Sequence, residues 1–151
     1  MRRSISFFTA TILTLGLSAV GFAGVAAAGD QLTKKQFLKE GNAICKAARK
    51  DFFVVVDMAF AGLDENAEPP PEVIEAVVAV GIPILQDGFD NIEALEGPAS
   101  LEKKVDKLVD QYTAILDGFE ADPQSAEDGS APFAKPDKLA RKIGLKQCAQ
   151  N

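Results

Sequence analysis

Residues 100–121, SLEKKVDKLVDQYTAILDGFEA, decide the fold. Val105, Leu108, Val109, Tyr112, Ile115, Leu116 and Phe119 recur every three or four positions, and the charged residues fall between them. That period lines one face of an α-helix, and only a helix presents it as a stripe. Toward the C-terminus, Asp122 to Pro132 is polar and rich in small residues, which predicts a mobile loop over about 122–132. A short helix is expected over Pro136–Ile143, stopped by Gly144 in a left-handed cap that Leu145 covers.

Toward the N-terminus the same period returns twice. Ile74, Val77, Val78, Gly81, Leu85, Phe89, Ile92 and Leu95 predict a second helix opening near Pro71 and ending before Gly97-Pro98. Pro83 lies within it and is expected to kink or split it. Gly62 to Pro71, with Asn66 and three consecutive prolines, is a loop. Before it, Thr33 and Gln36 form a T-x-x-Q capping box, with Leu32 and Phe37 at the staple positions. Phe37, Gly41, Ile44, Cys45, Ala48, Phe52, Val55, Val56 and Ala59 carry the first helix to about Phe60 or Ala61. The expected fold class is therefore all-α: an antiparallel bundle of three main helices plus a short C-terminal helix. Gly88 and Gly118, in the echoing segments Ile84–Asp90 and Ile115–Glu120, are expected to mark close helix approach or a bend.

Residues 1–28 read as a signal peptide. Arg2 and Arg3 precede an apolar run from Ile5 to Val25, and Ala26-Ala27-Ala28 gives a small-residue cleavage site. Cleavage near Ala28 would leave a 29–151 helical domain in a secreted, extracytoplasmic setting at the cell envelope. Retention of the leader as an anchor is the alternative. Met1 and Ser6 fit a twin-arginine signal poorly, and no cysteine stands at the cleavage point for lipid attachment. Loss of Arg2 and Arg3 takes the net charge from −6 to −8, which argues against nucleic-acid binding.

The chain has two cysteines, Cys45 and Cys148. Export to an oxidising compartment favours a structural disulfide between them. Free or intermolecular thiols are the alternative. Redox catalysis lacks a C-x-x-C motif, and a zinc centre lacks ligands because histidine is absent.

Leu32-Thr33-Lys34-Lys35-Gln36-Phe37 with Ala43-Ile44-Cys45 opens the domain. Phe133-Ala134-Lys135, Asp137-Lys138-Leu139-Ala140 and Gly144-Leu145-x-x-Cys148 close it. Together they resemble a group of small secreted or lipid-anchored bacterial helical proteins, mostly actinobacterial, with an LTKxxF…IC start and an FAKxDKLAxxxGLxxC finish. The middle, Asp51 to Glu127, matches only in helical character and in the Leu95…Pro98 turn. The chain departs from the group at Pro136. The resemblance implies an envelope or extracellular helical domain with its two cysteines joined, and no activity.

Charge is unevenly placed. From Asp51 to Glu102 there are 12 acids and no base, whereas residues 34–50 carry six bases against Glu40 alone. Lys138, Arg141, Lys142 and Lys146 lie near the C-terminus. A Cys45–Cys148 bond would gather Lys46, Arg49, Lys50, Lys142 and Lys146 into a candidate anion-binding patch for an anionic envelope lipid or polymer. Otherwise these bases solvate helix surfaces and pair loosely with the acidic second helix. The acids Asp64, Glu65 and Glu68 with Asn66, and Asp87, Asp90 and Glu93 with Asn91, lack the calcium-loop pattern. No metal or cofactor is therefore expected.

Histidine, G-x-S-x-G and phosphate-cradling glycine loops are all missing, so no enzyme is expected. The expectation is a non-enzymatic interaction or binding module. The alternative is a carrier of a small apolar ligand in the bundle core, with its cavity near Pro83 and the two mid-helix glycines.

Overall fold

In the computed structural model, which describes residues 31–64, 68–128 and 131–149, helix α1 spans Lys34–Ala59. Its start is fixed locally: the Thr33 hydroxyl accepts from the Gln36 amide at 3.3 Å, and the Thr33 amide donates to the Gln36 side chain at 3.0 Å. The expected signal peptide and cleavage site, and Glu65 and Asn66, lie outside the described residues.

Helix α2 spans Pro71–Glu93, α3 Ala99–Ala121 and α4 Ala134–Ile143. Short 3-10 segments cover Pro123–Asp128 and Ala131–Phe133. The stretch expected as a loop, 122–132, is thus largely 3-10 helix among its described residues, and Phe133 just after it is buried. No strand occurs among the described residues.

Neighbouring helices run antiparallel. The Leu32 amide donates to the Glu96 carbonyl at 2.8 Å, joining the entry of α1 to the exit of α2. A Cβ at Gly81 would lie 2.7 Å from the Phe52 ring, and one at Gly88 would lie 2.8 Å from Ala48. These two glycines let α1 and α2 approach closely. Phe89 stacks on Tyr112 with ring centroids 4.4 Å apart, and the Gln86 amide donates to Asp117 at 3.3 Å, which aligns α2 against α3. Phe119 meets Phe133 and Tyr112 meets Asp137, which brings α4 back along α3.

The core is the α3 stripe with its partners. Leu108, Leu116 and Ile92 are almost wholly buried, as are Phe37 and Leu145 from the two ends of the chain. Burying such side chains supplies the main drive to fold, at roughly 1.5–3 kcal/mol each.

Two expectations change and one is narrowed. Of the kink or split expected at Pro83, the split does not occur, since α2 continues through it. The carbonyl deprived of its donor belongs to Ala79, in an exposed part of the helix where water can satisfy it. Helix α4 begins two residues before Pro136, so that proline occupies the first turn, where a helix needs no amide donor. Gly118 serves no close approach, since a Cβ there would meet nothing within 4 Å.

Candidate ligand cavity and adjoining basic depression

Cys45 and Cys148 are joined by a disulfide with their Cα atoms 4.9 Å apart. The bond is one part of a larger latch that holds the tail, residues 144–149, against α1. Gly144 takes the left-handed conformation (φ 105°), and both its amide and that of Leu145 donate to the Ala140 carbonyl. The turn drives Leu145 onto Gly41, where a Cβ would lie 2.7 Å from its Cδ2.

Polar groups complete the latch. The Asn42 amide donates to the carbonyls of Leu38 (2.6 Å) and Gly144 (3.0 Å), while its Oδ1 accepts from the Gln147 amide at 2.8 Å. Arg49 donates to the Ala149 carbonyl at 3.2 Å and to the Gln147 carbonyl at 3.4 Å. Leu38, Asn42, Cys45 and Arg49 are spaced four, three and four apart, so one stripe of α1, with Gly41 beside it, carries the contact.

On the other side, the single Tyr112 hydroxyl proton lies between Asp137 Oδ1 (2.6 Å) and the Cys148 carbonyl (2.9 Å). Asp137 is buried and also pairs with Arg141 at 3.8 Å. Burial, then the hydrogen bond and charge of Asp137, push the Tyr112 phenol far above its ordinary range. It is held as a neutral donor.

Helices α1 and α3 both pack on α2 but not closely on each other. The tail and disulfide bridge the space between them at one side, and the remainder is a partly open cavity of about 500 Å³. Its wall is mostly aromatic: Phe52 and Phe53 from α1, Phe89 from α2, Phe119 from α3, and Phe133. Tyr112, Leu116 and the disulfide form part of the lining, Ala126 contributes from the 3-10 segment, and Arg49 is the one charged residue among the described lining residues. Beyond Cys45, Ala48 and Phe52 on the apolar side of α1 are only half-buried, and both line this space. The cavity is not around Pro83, which is exposed. Gly88 lines it and Gly118 does not.

A second depression, about 270 Å³, shares Arg49 and Phe53 with the first. Lys46, Lys50, Lys146 and Gln147 complete its lining. Four of the five bases expected to form a patch thus converge, with no acid among the described lining residues. Lys142 does not join them. It is exposed on α4, and the tail beyond Gly144, not α4, lies along α1. No carboxylate pairs with Arg49, Lys46, Lys50 or Lys146 among the described residues. Arg49 instead stands 6.0 Å from the centroid of the Phe53 ring, at the outer reach of a cation–π contact.

The acids of α2 form no such centre. Asn91 donates to the carboxylate and backbone carbonyl of Asp87, and no group of three or more metal-ligating side chains occurs among the described residues. Asn42 was not singled out by the sequence, and Tyr112 and Asp137 were named there only for the α3 stripe and the closing motif, not for a polar role. An asparagine inside a helix, on the stripe of Cys45, was the available signal for the first. No helix among the described residues is long and apolar enough to cross a membrane.

No family model, no curated protein and no solved structure matches this chain.

Proposed function

We propose that this protein binds a small apolar ligand in the cavity between α1, α2 and α3, and acts as a carrier or binding module rather than as an enzyme. The observation that carries this reading is the cavity itself: about 500 Å³, walled by five phenylalanines, with Arg49 as the one charged residue among its described lining residues. Ligand sites are commonly concave, largely apolar and of this size, with a few placed polar groups. The disulfide and the leader-like residues 1–28 support an extracytoplasmic setting, with cleavage near Ala28. The resemblance of both ends of the chain to small exported bacterial helical proteins points the same way.

The test is native mass spectrometry of protein taken from its own producer, with calorimetric titration of a short alkanol into the purified protein. A bound organic mass, and a heat abolished by Ala126→Phe, are expected. A bare mass together with no uptake of the alkanol would refute the reading.

A second reading, an interaction module at the envelope, rests on the exposed apolar surface of α1. Phe53, Val54 and Met58 are 50%, 47% and 65% exposed. Aspartate at Val54 and Met58 would then abolish partner capture while leaving ligand binding intact.

A further inference from the structure

The cavity and the basic depression meet at two residues, Arg49 and Phe53. One side of that junction is a wall of phenylalanines. The other gathers Arg49, Lys46, Lys50 and Lys146 around about 270 Å³ with no acid among the described lining residues. The junction is therefore amphipathic on the scale of one small molecule.

Two further observations give this arrangement direction. The chain is acidic overall, at −6, and holds no base between Asp51 and Glu102, so an anion is repelled over much of its surface and attracted at this spot. Arg49 uses one guanidinium nitrogen, Nη1, to hold the tail carbonyls. That anchoring orients the rest of the guanidinium between cavity and depression, without a carboxylate to neutralise it among the described residues.

We propose that Arg49, Lys46, Lys50 and Lys146 form the head-group site for a single-chain amphiphile with an anionic carboxylate head, whose alkyl chain occupies the phenylalanine-walled cavity. This deepens the proposed function and rests on it. A carboxylate fits because the planar guanidinium donates to two oxygens at once, while the flexible ammonium groups add charge without fixing geometry. Phe53, shared by both spaces and half-exposed, covers the point where head joins chain.

The experiment is calorimetric titration of the disulfide-intact protein with three probes of equal chain length, below their micelle-forming concentrations: dodecanoate, dodecanol and dodecyltrimethylammonium. Dodecanoate is expected to bind about tenfold more tightly than dodecanol, and the cationic probe most weakly. Raising the salt should weaken dodecanoate and leave dodecanol unchanged.

The triple variant Lys46→Gln/Lys50→Gln/Lys146→Gln should erase most of the carboxylate preference while keeping dodecanol affinity. All three lysines are exposed, so the fold should survive. Arg49→Gln also frees tail carbonyls and lowers stability, so the lysine variant and the salt titration carry the test. Equal, salt-independent binding of dodecanoate and dodecanol would overturn the head-group site and leave the carrier reading standing. Failure of all three probes would overturn both. Salt-sensitive binding to anionic phospholipid vesicles without uptake of any single-chain probe would overturn the inference in favour of a membrane-surface role.

Discussion

Replacing both cysteines, Cys45→Ala with Cys148→Ala, should cost this domain about 4.7 kcal/mol. The bond spans 103 residues of sequence, and the chain-entropy model assigns that value to closing a loop of about 100 residues in the unfolded state. Nearly the whole described domain lies inside that loop. The folded state should change little, because Leu145, Asn42, Arg49 and Tyr112 still hold the tail. The loss therefore resides in the unfolded ensemble, and it is large against the 5–15 kcal/mol typical of a domain. Urea denaturation of the oxidised protein and the double variant measures it. With a slope of about 2 kcal/mol per molar, the midpoint should fall by roughly 2 M. The slope itself should rise, because an uncrosslinked chain exposes more surface. Circular dichroism follows the helices. Fluorescence of the one tyrosine follows the tail, since Tyr112 bonds the Cys148 carbonyl and the chain has no tryptophan. Coincident transitions with a loss below about 1 kcal/mol would refute this reasoning: the unfolded chain would then be no less constrained without the bond. A tyrosine transition well before the helical one would show instead that the polar latch cannot hold the tail alone.

Other outcomes follow from the same contacts. Gly41→Ala places a methyl 2.7 Å from Leu145 Cδ2 and should destabilise by about 1–3 kcal/mol, whereas Gly118→Ala meets nothing within 4 Å. The latter should stabilise by about 0.5–1 kcal/mol, so thermal melts of the pair should move in opposite directions. The raised phenol of Tyr112 sets an alkaline limit. Below its ordinary value of 10.0 both states hold the proton, and as pH rises above it the unfolded chain releases what the fold retains, so stability falls. Spectrophotometric titration should show no phenolate until the protein unfolds, and Tyr112→Phe should weaken this pH dependence. The same variant leaves Asp137 and the Cys148 carbonyl short of a donor, at about 1–3 kcal/mol.

The helices were legible because their causes are local. The T-x-x-Q box sets the start of α1, the period of residues 105–119 makes α3, and Gly144 ends α4, each through contacts within a turn or two of chain. Where local signals competed, the outcome depended on exposure. Pro83 was expected to kink or split α2, but the Ala79 carbonyl it leaves unmatched lies where water can reach it, so α2 is not split. The equivalence of Gly88 and Gly118 also failed, because only the first has another helix against it.

The sequence by itself determined an all-helical chain and the concentration of bases at both ends, since these follow from short-range periodicity and composition; the pairing of its two cysteines was an expectation that the structure bears out. Tertiary structure alone decided that α1 and α3 stand apart across α2, that the gap between them is walled by phenylalanine, and that Lys142 is left out while Arg49 joins cavity to depression. A cavity is a failure of packing between residues far apart in sequence. Nothing in the local pattern of either helix distinguishes an apolar face that meets a neighbour from one that meets a space.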